Sequence, residues 1–116
     1  MKWYLVKLVF GVSELDQPEN APAKFDEQLR LIEEETHDLA LLKARRLGKK
    51  FEGSFFRGEH LTTWTFIDVK DVVLLDVIQD GIEIYSDMIE TNDRESFINS
   101  VLLRSLHLSA RTPVLF

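Results

Sequence analysis

The opening stretch constrains the fold of this chain more than any other. In "MKWYLVKLVFGV" both parities of an extended backbone are apolar. Tyr4, Val6, Leu8 and Phe10 fall on one side, and Trp3, Leu5, Lys7 and Val9 on the other. Side chains alternate across a strand, and Trp, Tyr, Val and Phe favour strands. A sheet with helices on one side and water on the other should alternate apolar with polar. This segment does not, so it belongs inside a sheet with a cover over each face. Two competing readings fail on the residues. A secretory signal needs an unbroken apolar stretch of about 7–15 residues, and Lys7 cuts the run in two. Glu14, Asp16 and Glu19 crowd the segment before Ala21–Pro22–Ala23. A membrane helix needs about 20 apolar residues, and no window approaches that.

The rest of the chain supplies partners for this strand. Residues 13–23, "SELDQPENAPA", read as a mobile loop because of Pro18, Pro22 and the polar residues between them. A second strand follows in "KFDEQLRLIEE", with Phe25, Leu29 and Leu31 on one face. Thr36 has the chemistry of an N-cap, with Asp38 in the first turn. The helix it starts runs to about Leu47 with apolar ridges at i, i+3/i+4 spacing, and Gly48 is the expected C′ residue. A short arm at 54–56 turns at 57–59 into a third strand, 61–69, which continues, bent, to Leu75. Gln79–Asp80–Gly81 signals a turn. "IEIYSDMI" reads as the fourth strand, and Asn92 with Glu95 as the capping box of a second helix. Phe97, Ile98, Val101, Leu102 and Leu106 form the apolar face of that helix, and 109–116 a tail docked on another surface. The order β-β-α-β-β-α predicts a single α+β domain over 1–116. It is a two-layer sandwich with a four-stranded, mainly antiparallel sheet and two helices on one face. A circularly permuted ferredoxin-like chain has the same element order.

Composition excludes several classes of function. The net charge of −6 over 116 residues opposes general binding to nucleic acid or to an anionic membrane. The absence of cysteine excludes disulfides, thiolate zinc sites and a cysteine nucleophile, and fits a cytoplasmic protein. His37, His60 and His107 stand apart in sequence, so no metal site is expected. The glycines form no phosphate-binding loop, and no cofactor is expected.

Four blocks carry a resemblance: "MKWYLVKLVF", then "FDEQLRLIEEET" leading into a helix that ends "LGKK", then "WTFIDVKDV", and "DGIEIYS". Together they resemble the bacterial family known as domain of unknown function 4288, over about residues 1–86. The resemblance implies a small, cytoplasmic, bacterial single domain. That family has no established activity, so it brings no catalytic residue with it.

The chemistry-bearing candidates are charges among apolar strand neighbours. Lys7 lies between Leu5 and Val9, Glu27 between Phe25 and Leu29, and Asp68 two residues past Phe66. Buried charges persist only when paired, and perturbed charges cluster at functional sites. A group of Lys7, Glu27 and Asp68 on the second sheet face, beside Trp3 and Trp64, is one candidate for a ligand or proton-transfer site. An interface or edge ion pair is the structural alternative. Glu83 and Tyr85 share a face of the expected fourth strand, with Arg30 in reach from the second. Lys43, Arg45, Arg46, Lys49 and Lys50 gather at one helix end, where the helix dipole favours cations. The doubly apolar strands point to a homodimer formed through the sheet. The expected function is a non-enzymatic interaction domain. The alternative is a small-molecule binder or enzyme acting on the second face.

Overall fold

The computed structural model describes residues 1–111. Its elements are β1 (Lys2–Glu14), β2 (Lys24–Glu34), α1 (His37–Lys50), β3 (Gly53–Arg57), β4 (His60–Leu75) and α2 (Arg94–Arg111). The strands form one antiparallel sheet in the order β2-β1-β4-β3. The α+β class and four-stranded antiparallel sheet predicted above are therefore present. The moved strand of a permuted ferredoxin-like chain would lie at an edge. Here β1 is central, pairing with β2 on one side and β4 on the other. The chain divides into two units, Met1–Tyr85 and a second beginning at Ser86.

In the first unit the even side chains of β1 point at α1. Tyr4, Val6, Leu8 and Phe10 form the core with Ile32, Phe66, Ala40 and Ala44. The face of α1 turned to them is made of small residues, with Ala40, Ala44 and Gly48 all buried at i, i+4, i+8 spacing. Such a stripe lets the helix backbone lie close to the strands. Thr36 caps the helix as predicted, its Oγ1 accepting from the Leu39 amide at 3.2 Å. Gly48 is not the C′ residue. It lies inside the last turns, Phe51 is the C-cap, and a Cβ on Gly48 would overlap the Phe66 ring. Close packing selected this glycine, not a left-handed backbone, since only Gly58 and Gly81 have positive φ.

The expected fourth strand is the main correction. Residues 82–89 join no ladder. The third and fourth strands of the sheet are instead the short arm at Gly53–Arg57 and a 16-residue β4, joined through Gly58 at φ 65°. β3 pairs with β4 only over His60–Trp64, so the rest of β4 keeps an open edge that "IEIYS" does not use. Tyr85 goes to Lys7, its hydroxyl accepting from Nζ at 2.8 Å. The chain turns instead, with the Ile82 amide bonded to the Gln79 carbonyl.

The second unit carries α2. Its cap is Asp93, not Asn92: the Asp93 carboxylate accepts from the Ser96 amide at 3.0 Å. Glu95 pairs with Arg94 instead of closing a capping box. Of the tail expected over 109–116, residues 109–111 are the end of α2, and the remainder lies outside the described residues.

Candidate functional site

The outer face of the sheet, opposite α1, is built from the odd residues of β1. Its register places Lys7 opposite Leu29 and Val9 opposite Glu27 on β2. On β4 two register shifts, between Lys7 and Leu8 and between Val9 and Phe10, leave Lys70 and Ile67 as extra residues. Bulges re-aim side chains in this way, and Lys70 reaches across β1 to the Glu27 carboxylate at 2.7 Å.

Lys7 is 9% exposed, and its ammonium group is satisfied from two directions. It donates to the Tyr85 hydroxyl at 2.8 Å, with the ring centroid 4.2 Å from Nζ. It also lies 3.5 Å from Glu27 Oε2. The Tyr85 hydrogen bond and the nearby Glu27 carboxylate outweigh desolvation and raise the Lys7 pKa above its usual 10.5. The Lys70 hydrogen bond, aided by Lys7, lowers the Glu27 pKa below its usual 4.5. Lys7 is thus a cation and Glu27 an anion across the neutral range.

The structure divides the remaining candidates. Asp68 is not in this group: it pairs with Arg45 from α1 at 3.1 Å. The Val69 amide, first, and then Arg45 lower its pKa. Trp3 is on the outer face near one end of β1 and is 39% exposed. Glu83 makes no hydrogen bond or ion pair among the described residues and stands in solvent. Arg30 pairs in register with Val6, on the α1 side of the sheet. Arg30 and Tyr85 therefore do not share a pocket, because Arg30 lies on the Val6 side of the sheet and Tyr85 meets Lys7 on the other. Trp64 shares the Arg30 side, its indole N–H donating to Asp26 at 3.1 Å. Gln28 bridges Asp26 and Arg30, donating to the first at 2.7 Å and accepting from the second at 2.9 Å. Asp26, Gln28 and Arg30 alternate along β2, a signal readable in the sequence. The part played by Lys70 was not readable, since a bulge sets it.

The outer-face group is closed electrostatically, and no described cavity touches Lys7, Glu27 or Tyr85. Around it the surface is apolar. Phe25 is 64% exposed, Leu29 52%, Leu31 50% and Ile67 57%. Among the described residues no three His, Cys, Asp or Glu side chains group closely enough to hold a metal ion. No helix among them is long and apolar enough to cross a membrane.

Fold and face together define a small α+β sheet domain with an apolar outward surface around a paired charge cluster. The family model described as "Domain of unknown function (DUF4288)" matches residues 3–86, and the chain belongs to that family. The matched span is nearly the first unit: the sheet, α1 and the segment bearing Tyr85, with α2 beyond it. Neither a curated protein nor a solved structure matches the chain.

Proposed function

We propose that the protein is a non-enzymatic interaction domain of the bacterial cytoplasm that forms a homodimer through the outer face of its sheet. The observation that carries this reading is the strip of Phe25, Leu29 and Leu31 on edge strand β2, continued by Ile67 on β4, with at least half of each side chain exposed. Large contiguous apolar patches on soluble domains mark interaction sites. A two-fold axis lets one such patch bury itself against its own copy. The charged group at its centre suits an interface better than catalysis, because Lys7 and Glu27 already neutralise each other and Asp68 is held by Arg45.

Sedimentation velocity of the wild type and of Leu29→Glu tests the reading. The expected result is a dimer that becomes a monomer in the variant, with an unchanged far-ultraviolet spectrum. A wild type that stays monomeric at millimolar concentration overturns it, as does a dimer that survives both Leu29→Glu and Phe25→Glu.

A further inference from the structure

The α1 side of the sheet carries a second feature, independent of the outer face. Beyond the end of α1 an open cleft of about 200 Å³ is lined by Gln28, Arg30, Phe51, Phe55 and Trp64. Three aromatic rings from three places in the chain meet there, with Phe55 and Trp64 edge to face at 6.0 Å between centroids. The Arg30 guanidinium lies 4.0 Å from the Phe51 ring centroid. The Gln28 carbonyl oxygen fixes it, accepting from Nε at 3.2 Å and Nη2 at 2.9 Å. Lys50 approaches the same ring at 6.0 Å.

The charge pattern of the cleft points to a ligand. Within the basic cluster at the end of α1, Arg45 pairs with Asp68, Lys49 with Glu52, and Lys43 donates to the Glu33 carbonyl. Arg30 and Lys50 have no carboxylate partner among the described residues. Asp26 already accepts from the Trp64 indole and the Gln28 amide through Oδ2, and Glu52, next to Phe51, is taken by Lys49 and the Phe66 amide. An arginine held rigid by a neutral acceptor and stacked on a ring presents a planar fork suited to a carboxylate. Its aromatic neighbours suit a flat apolar body. The volume is below the range of drug-sized pockets and suits a single ring.

We propose that this cleft binds a small aromatic carboxylate, its carboxylate on Arg30 with Lys50 nearby and its ring among Phe51, Phe55 and Trp64. The site is on the face away from the proposed dimer interface, so each proposal can fail without the other.

The test uses the full chain carrying Trp3→Phe, which leaves Trp64 as the sole tryptophan. Its fluorescence is titrated with sodium benzoate and with benzamide at constant ionic strength. A saturable change with benzoate is expected, with a Kd of about 1 mM for so small a ligand. Benzamide should bind at least tenfold more weakly, and Arg30→Gln should weaken benzoate at least tenfold. A non-saturating benzoate response overturns the proposal, and so does equal affinity for benzamide. Unchanged benzoate binding in an Arg30→Gln variant with a normal melting curve also overturns it. Should Arg30→Gln melt early, the benzoate-to-benzamide ratio in the Trp3→Phe protein decides alone.

Discussion

Replacing Gly48 with alanine adds one methyl group, and the position of Gly48 against Phe66 sets its effect. A Cβ at Gly48 would overlap three atoms of the Phe66 ring, and Phe66 is held in the core against Phe10 at 5.6 Å between centroids. Overpacking a filled core costs about 1–3 kcal/mol. Overlap with three atoms of a buried ring puts this case near the top, about 3 kcal/mol. Alanine returns about 1 kcal/mol of helix propensity over glycine. The net loss is about 2 kcal/mol, a fall in Tm of about 8–16 °C for a unit of this size. Calorimetry of a double-mutant cycle with Phe66→Leu isolates the cause. With the ring removed, the clash disappears and Gly48→Ala becomes neutral or gains up to about 1 kcal/mol, so the coupling is about 2–3 kcal/mol. A glycine needed for a left-handed cap would cost the same in both backgrounds. Equal costs would therefore refute the packing argument.

Thr62 is 1% exposed and its hydroxyl has no partner among the described residues, so Thr62→Val should stabilise the protein by about 1–2 kcal/mol, read as a higher urea midpoint; a lower midpoint would mean that the hydroxyl is satisfied. The raised Lys7 pKa gives a contribution fully present below 10.5 and lost as pH rises through the folded-state value. The lowered Glu27 pKa gives one present above 4.5 and lost as pH falls through its folded-state value. The difference in urea midpoint between wild type and Lys7→Met should then be constant from about pH 5 to 10 and shrink above that, and a difference that grows in alkali contradicts the pairing.

Local chemistry was legible in the sequence, and choices among distant partners were not. Thr36 caps α1 because a hydroxyl one position before the helix satisfies a free amide whatever the tertiary context. The "KFDEQLRLIEE" strand kept its predicted span, Lys24–Glu34, because Phe25, Leu29 and Leu31 share one parity and Asp26, Gln28 and Arg30 the other. Residues 82–89 alternate too and form no strand, since β-propensity is strongly context-dependent and Tyr85 is engaged by Lys7. Gly48 and Asp93 show a subtler limit. Each stands next to, or at, a plausible cap, and only packing or a specific hydrogen bond selects its role. In the candidate site, the structure brings Lys7 and Glu27 together, while Asp68 pairs with Arg45, between two bulges of β4 that leave little trace in composition.

The two apolar faces of β1 now have separate explanations. The even face is covered by α1 through its Ala40, Ala44 and Gly48 stripe. On the odd face Leu5 and Lys7 are buried, and the group that meets Lys7 is Tyr85, from 78 residues away. A lysine amid apolar neighbours requires a partner, and the carboxylate of Glu27 at 3.5 Å is itself shared with Lys70. Tyr85 supplies what is missing, a hydroxyl to accept and a ring face to cover. That requirement accounts for where the first unit ends. The chain must leave β4, turn at Gly81 and return to the sheet as far as Tyr85 before Lys7 is satisfied, and the family match runs one residue past it. The β2 half of the odd face has no such cover among the described residues of this unit: Phe25, Leu29 and Leu31 remain exposed. A fold that brings a tyrosine so far to close one half of a face, and leaves the other half apolar on an edge strand, has a surface suited to a second copy of itself.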